Sequence, residues 1–259
     1  MNLIQDKYFI IRTGDFATDA NKKIIYILLS FFLCLHNSII NKNMEYFYVM
    51  IGSSIVWTII ELFLNYQQIR IIKPMKVTWN NQSRNLNKYV GIILQGIQEG
   101  GAVTIIGLYF GDRFYIGFYQ CFYHLLIFYM VVNMFKKQSN TKTLSKRQIN
   151  TPGSLCLMGS ATIFNTLVLL NNPSHFYREL NMFMSMVYIS SIWTIISYYK
   201  EFRKVQVHLC NDNKYICRSD NLLDAFLILG YDVIFEIGIA YITFYNIFII
   251  PYNHIIESK

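Results

Sequence analysis

Seven long apolar stretches follow one another along the chain, separated by shorter polar segments. A helix needs about 20 largely apolar residues to cross the hydrocarbon core of a bilayer, and each stretch approaches or exceeds that length. The fifth stretch is diluted by serine, threonine and asparagine, and the seventh is the longest. The predicted spans are residues 24–40, 46–64, 90–110, 114–135, 153–170, 180–199 and 222–250. The pattern predicts an all-α integral membrane protein, a bundle of seven transmembrane helices.

The composition agrees with this class of protein. Of the 259 residues, 54% are hydrophobic and 15% are charged, whereas soluble domains carry about 25% charged residues. An ordinary soluble enzyme, a disulfide-rich secreted domain and a disordered chain are therefore excluded. The composition does not indicate which membrane holds the protein.

Lysine and arginine are distributed unevenly between the two sides of the predicted bundle. Nineteen of the 23 lie in the N-terminal segment and in the second, fourth and sixth connections, and four lie on the other side. Cytoplasmic loops carry the Lys and Arg excess, so we expect residues 1–23 to be cytoplasmic and the short tail, residues 251–259, to lie outside. The net charge of +8 then favours contact with anionic lipids at the cytoplasmic loops, and no nucleic-acid partner is expected.

Parts of the first three spans recur in the last three. Trp193 follows Trp57 by 136 positions within similar Ser-Ser-Ile…Trp-Thr-Ile-Ile segments, and Glu236-x-Gly238 follows Glu99-x-Gly101 by 137. The offsets suggest a repeated three-helix unit, with residues 24–110 and 153–250 as the repeats and residues 114–135 as a linker helix. Such a 3+1+3 arrangement makes the repeats parallel in the membrane. The alternative is chance recurrence in apolar helices of biased composition.

Polar side chains form stripes along single faces of several spans. Steps of three and four residues place them on one side of a helix, and that side has to face the bundle interior because exposing it to lipid is unfavourable. The residues expected to line a substrate or ion pathway are Glu61, Asn65, Gln95, Gln98, Glu99, Asp232 and Glu236. Three residues are possible accessories: His124, and the two equivalently placed tryptophans, Trp57 and Trp193, which either flank a central substrate or only pack.

Four of these pathway residues are acids, and no Lys or Arg lies within the core of a span to neutralise them. One ionised residue at the centre of a transmembrane helix costs about 2.5 to 3.5 kcal/mol. Either some carboxyl groups are protonated through burial, or a cation binds among them. A proton- or cation-coupled carrier alternates between these two states. The simpler interpretation is that the polar residues hydrogen-bond across helices and hold the bundle together.

The leading functional hypothesis is a small secondary transporter or channel for a small solute or cation. Glu61 and Glu99 would bind the proton or cation, and Asn65 and Gln95 would supply neutral hydrogen bonds. No cofactor and no metal site is predicted.

Three other classes remain open. The first is a seven-helix sensor of a lipid or another ligand, without covalently bound retinal because the last span has no lysine. The second is an intramembrane lipid enzyme, which is less expected because the five histidines are scattered; a meeting of His124 with a cytoplasmic histidine at the acids would favour it. The third is a purely structural or assembly role.

Two features concern the outer side of the bundle. Gly111-Asp112-Arg113 makes a very short turn between the third and fourth spans, and we expect Asp112 and Arg113 to form an interfacial ion pair. Pro251 and the polar residues after it are expected to end the seventh span, because proline disrupts a helix interior.

Overall fold

The computed structural model describes residues 5–13, 18–67, 74–80, 82–136, 143–211, 214–218 and 221–257. Within these residues, seven helices are long and apolar enough to cross a membrane, so the seven predicted helical segments of a multi-pass membrane protein are confirmed. They are α1 (Ala20–Asn41), α2 (Glu45–Tyr66), α3 (Lys88–Asp112), α4 (Gly117–Lys136), α5 (Pro152–Asn171), α6 (Phe176–Tyr199) and α7, which runs through Leu222–Tyr231, Asp232–Ile239 and Ala240–Glu257. A 3₁₀ turn, Pro173–His175, precedes α6.

The four odd-numbered helices begin with side-chain caps. Asp19 accepts a hydrogen bond from the Lys22 backbone N–H at the start of α1, and Asn87, Thr151 and Asn221 do the same for α3, α5 and α7. Such caps satisfy backbone donors that have no partner within the helix.

Helices α3 and α7 each contain a π-helical segment. The segments are Ile97–Ala102 and Asp232–Ile239, and they include Glu99, Asp232 and Glu236. A π segment inserts an extra residue into a turn and is frequent at functional sites. Three of the four predicted acids therefore lie where the helix geometry is irregular.

The structure adds strands to the predicted all-α architecture. β1 (Lys7–Thr13), β4 (Thr143–Gln148), β5 (Arg203–Asn211) and β6 (Lys214–Arg218) form an antiparallel sheet in the order β4-β1-β5-β6. β2 (Lys76–Trp79) and β3 (Gln82–Asn85) form a separate hairpin. The β5 segment alternates buried and partly exposed residues from Arg203 to His208, and that period of two is the strand signal in the sequence.

The sheet covers the beginning of α7. Its apolar face and the first three turns of the helix form one buried cluster of Tyr8, Ile10, Ile149, Val205, Val207, Ala225, Ile228 and Leu229. The span containing α7 has 35 residues, which corresponds to about 50 Å of helix against about 30 Å of hydrocarbon. The sheet-covered part, which ends at Leu229, accounts for part of the excess length.

All four basic segments meet at one end of the bundle, which we call the sheet end. The N-terminal segment supplies β1, the fourth connection β4, and the sixth connection β5 and β6. The hairpin of the second connection joins them through Asn21, whose side chain donates to the Thr78 carbonyl at 2.7 Å and accepts from the Thr78 N–H at 2.9 Å. The opposite end, where α2 and α6 begin and α3 ends, is the far end.

Helix α7 does not end at Pro251 as the sequence predicted. The helix continues to Glu257 with Pro251 inside it. Tyr252 anchors the extension, because its hydroxyl accepts a hydrogen bond from the Met44 N–H at 3.0 Å and its ring packs 5.6 Å from that of Tyr48. These contacts with α2 offset the backbone hydrogen bond that proline cannot make.

Candidate functional site

Three arginines project from the face of the sheet that covers the helices. Arg12 on β1 lies directly opposite Arg203 on β5, and Arg147 on β4 lies opposite Ile10. Side chains of paired residues share a face, and residues two apart on a strand do too, so all three point the same way. Like charges at neighbouring positions repel, so this arrangement needs acids to neutralise it.

The π segments of α3 and α7 supply those acids. Arg203 Nη2 donates to Asp232 Oδ2 at 2.6 Å, and Arg147 Nη2 donates to Asp232 Oδ1 at 3.0 Å and also to Glu236. Arg12 Nη1 lies 3.7 Å from Glu99 Oε1, and its charge also interacts with Asp232. We call Arg12, Glu99, Arg147, Arg203, Asp232 and Glu236 the sheet-end ion cluster. It holds three guanidinium and three carboxyl groups.

This cluster corrects the expectation that the acids lack a compensating base. No arginine lies in a span core, but three reach the acids from strands that the sequence analysis treated only as basic loops. Arg203 is 2% exposed and Asp232 3%, so the pair is removed from water. For Glu99 and Asp232, arginine takes the place of the protonation or bound cation that the sequence seemed to require.

Both predicted tryptophans contact the sheet-end ion cluster. Trp57 Nε1 donates to Glu99 Oε2 at 3.3 Å, and its ring stacks on Tyr241, whose hydroxyl donates to the Glu99 carbonyl at 2.6 Å. The Trp193 ring lies 5.0 Å from the Arg203 guanidinium, a cation–π distance. In the structure, Trp57 contacts a carboxylate and Trp193 contacts an arginine. Contact of either tryptophan with a substrate stays a prediction.

The other predicted pathway residues occupy the same end of the bundle. Gln98 accepts a hydrogen bond from Lys23 Nζ at 3.1 Å. Gln95 is buried in α3, Glu61 is completely buried in α2, and Asn65 is half-buried one turn further along. The sequence predicts that these residues line one pathway together with the acids of the sheet-end ion cluster, and this stays a prediction.

His124 lies away from the acids. Its Nδ1 donates to the Gln120 carbonyl at 2.7 Å, and its Nε2 lies 3.2 Å from the Tyr188 hydroxyl on the exposed side of α4. His208, which lies at the sheet end, contacts Lys146 and Phe9 rather than His124. The meeting of histidines that would favour a lipid enzyme is not found among these contacts.

A second ion cluster lies at the far end. Arg178 Nε and Nη2 each donate at 2.7 Å to one oxygen of Asp112, and Arg178 Nη1 donates to Glu45 at 2.6 Å. Tyr46 donates its hydroxyl proton to Asp112 at 2.7 Å. Arg178, Asp112, Glu45 and Tyr46 form the far-end ion cluster, which ties the beginnings of α2 and α6 to the end of α3.

The prediction that Asp112 pairs with Arg113 is wrong. Asp112 pairs with Arg178, whereas Arg113 donates to Asn37 at 2.9 Å and lies 4.0 Å from the Tyr109 ring. Adjacent residues at a helix end point in different directions, so the short turn in the sequence gave a misleading partner. Arg178 was missed because it precedes the predicted start of the sixth span.

An apolar core separates the two clusters, and an open cleft lies beside it. The core includes Ile105, Met186 and Phe244 from α3, α6 and α7. The cleft, of about 560 Å³, lies between α1, α3 and α4. It is lined by Leu29, Phe32, Leu33, His36, Tyr109, Phe110, Phe118, Tyr119, Phe122, Leu125 and Leu126. His36 Nδ1 and the Tyr109 hydroxyl form a polar pair in its wall at 2.9 Å.

Comparisons with known proteins add no assignment. Neither a family model, nor a curated protein, nor a solved structure matches this chain. Across the described residues, no group of three His, Cys, Asp or Glu side chains is placed to hold a metal ion. The geometry of the two ion clusters is therefore the basis for a functional proposal.

Proposed function

We propose that the protein is a small secondary transporter that moves a small solute or cation across its membrane. The observation that carries the proposal is the pair of ion clusters, at two depths of one helix bundle, with an apolar core between them. Charged side chains inside membrane spans, as Glu99, Asp232 and Glu236 would be at the sheet end, are costly and mark transport pathways or proton relays by default. Two separate charged layers fit a carrier that opens one end at a time.

The two ion clusters connect the halves of the chain differently, and this difference suits a carrier that opens one end at a time. At the sheet end, Arg12–Glu99 belongs to the first half of the chain, and Arg147–Glu236 belongs to the second half. At the far end, Arg178 of the second half binds Asp112 and Glu45 of the first. Parting the halves at the far end breaks these cross-half bonds and leaves each sheet-end pair intact. Opening the sheet end instead requires β1 to separate from both β4 and β5.

We also propose that the two halves are an internal repeat. Each half has the order strand, two helices, β-hairpin, and a helix with a π segment. Arg147 follows Arg12 by 135 positions and Asn221 follows Asn87 by 134, close to the offsets of the tryptophans and the Glu-x-Gly motifs. These equivalences support parallel repeats joined by α4, because α4 lies between the two sets of elements.

The orientation we propose places the sheet end in the cytoplasm and the far end outside. The four basic segments gather at the sheet end, and the Lys and Arg excess is cytoplasmic in membrane proteins. Cys217 on exposed β6 provides a test when the other four cysteines are replaced by serine. A membrane-impermeant maleimide should label Cys217 in inside-out vesicles, and labelling in right-side-out vesicles would reverse the orientation.

Flux into proteoliposomes tests the transport proposal. Proton and sodium fluxes are followed with internal indicator dyes under imposed gradients for the native chain, Asp232→Asn, Glu236→Gln and Asp112→Asn. Each substitution in a cluster should reduce flux at least tenfold, whereas Glu201→Gln, an exposed acid outside the bundle, should leave it unchanged. Absence of flux in the folded native protein would contradict the proposal.

The cleft between α1, α3 and α4 favours a second candidate function, the sensing of a lipid or another apolar ligand. Its volume is in the range of small-molecule sites, and it combines apolar walls with one polar pair. A photoactivatable sterol or fatty acid should then crosslink to Phe118 or Phe122. Such crosslinking without any flux would favour the sensor over the transporter.

A further inference from the structure

A buried polar group lies between α5, α6 and α7 near the far end, outside both ion clusters. It consists of Glu179, Asn165, Asn246 and Thr243, which we call the far-half polar site. Glu179 is 6% exposed, Asn165 7% and Asn246 3%. Glu179 is not among the pathway residues predicted from the sequence, because it directly precedes the predicted sixth span.

The hydrogen bonds within this site leave two oxygens open. The Asn246 amide donates to Asn165 Oδ1 at 3.1 Å, and the Asn246 side chain also interacts with the Glu179 carboxyl group. Asn165 Nδ2 donates to the Ile239 carbonyl and to Thr243 Oγ1, both at 3.1 Å. Glu179 Oε1 and Asn246 Oδ1, both buried, have no hydrogen-bond partner among the residues that the structure describes. Leaving a buried polar atom without a partner is unfavourable, so an occupant is expected there.

The neighbouring arginine does not supply that partner. Arg178 precedes Glu179 in the chain, but its Nε, Nη1 and Nη2 atoms bind Asp112 and Glu45. The open atoms are both acceptors, so the occupant has to bring positive charge or a donor. Carboxylate and amide oxygens are the ligands of hard cations.

We propose that the far-half polar site binds one monovalent alkali cation, such as sodium, through Glu179 Oε1 and Asn246 Oδ1. One carboxylate matches a single positive charge, and the surrounding amides and hydroxyl are neutral. A divalent ion would have only half of its charge compensated by this single carboxylate. The inference rests on the proposed transport function, because it names the cation whose binding would be coupled to transport. Equilibrium binding does not require transport, however, so each can fail separately.

Thermal unfolding of the purified full chain in detergent tests this site. The melting temperature is measured in sodium, potassium or lithium chloride against N-methylglucamine chloride at equal ionic strength and alkaline pH. A bound cation raises the melting temperature as its concentration increases. We expect a saturable rise of several degrees for the native chain and for Glu201→Gln, and none for Glu179→Gln.

A second measurement keeps the proposal testable if Glu179→Gln does not fold. Binding of radioactive sodium to the native chain should be saturable and displaced by unlabelled sodium, and Glu179→Asp should weaken it at least tenfold while retaining the charge. Equal melting temperatures in all salts, without saturable sodium binding, would overturn the proposal and leave Glu179 as a protonated carboxyl. Sodium binding without flux would retain the site but reject the transport function.

Discussion

Arg12 and Arg203 lie directly opposite each other on neighbouring antiparallel strands, yet each binds an acid from a different helix. Arg12 pairs with Glu99 of α3, and Arg203 pairs with Asp232 of α7. The register of these two strands thus determines which arginine meets which acid of the two helices. This coupling makes the sheet part of the candidate site, and it leads to the first predictions.

Replacing Arg203 should strongly destabilise the protein. In Arg203→Met the buried Asp232 loses its 2.6 Å partner, and breaking a buried ion pair on one side costs about 3 to 5 kcal/mol. Thermal unfolding in detergent measures the loss. Lys204→Met is the control, because its partner Glu201 is exposed and such pairs contribute about 0 to 1 kcal/mol. Adding Asp232→Asn to Arg203→Met should recover part of the stability, and simply additive losses would contradict the coupling.

The pairing of β1 with β4 predicts a disulfide. Phe9 lies opposite Gln148, and opposed residues in antiparallel strands have Cα atoms about 4.5 to 5.5 Å apart, within the range of a disulfide. In a background without native cysteines, Phe9→Cys with Gln148→Cys should crosslink on mild oxidation, as detected by mass spectrometry of peptides. Phe9→Cys with Tyr252→Cys should not, since Tyr252 lies at the far end.

The far-end ion cluster should distinguish arginine from lysine at position 178. Arg178→Lys keeps the charge but loses the two-pronged contact with Asp112, which lysine cannot reproduce. One hydrogen bond to a charged group contributes about 1.5 to 3 kcal/mol, so we expect a loss of that size in unfolding free energy. Arg178→Gln should lose more. Equal stability of Arg178→Lys and the native chain would show that the charge alone suffices.

Close packing of α2 against α3 predicts different effects at two glycines. A Cβ at Gly96 would lie 2.6 Å from Thr58 Cα, whereas a Cβ at Gly230 would have no atom within 4 Å. Gly96→Ala should therefore destabilise the bundle by about 1 to 3 kcal/mol. Gly230→Ala, the matched control, should be neutral or stabilise it by up to about 1 kcal/mol through helix propensity. The two melting temperatures, measured side by side, test the predicted helix contact.

The pKa of His208 should lie below the ordinary range of a histidine. Partial burial, and then the charges of Lys146 and Lys7, lower the pKa of His208. Lys146 Nζ lies 3.3 Å from His208 Nε2, and an ammonium group can only donate, so the neutral ring carries its proton on Nδ1. Lys146→Met should raise the pKa of His208 toward 6.5, as followed by NMR of the imidazole.

The sign of the accompanying stability change follows from proton binding. Because the folded state holds this proton less tightly, the unfolded chain binds more protons between the lowered pKa and 6.5. The contribution of His208 to stability is present above pH 6.5 and decreases as the pH falls through that window. A folded-state pKa above 6.5 would contradict both the contact and its sign.

The local signals that could be found in the sequence are those with a clear period. Spans of about 20 apolar residues predicted all seven helices to within a few residues, except at the C-terminal end of α7. Tyr252 explains the end of α7, because its contacts with Met44 and Tyr48 come from a helix some 200 residues earlier in the chain. The alternation in β5 was readable as well, but basic loop composition concealed it.

What the sequence by itself determined was which residues are too polar to face lipid: the acids of α2, α3 and α7. Their partners were decided only by tertiary structure. Arg12, Arg147 and Arg203 are ordinary basic residues in linear order, and they become a neutralising layer only because β1, β4 and β5 pair in one register. Asp112 likewise takes Arg178 rather than its neighbour Arg113. A hydropathy pattern records the free energy of transfer of each residue on its own, whereas an ion pair depends on two distant segments meeting in space.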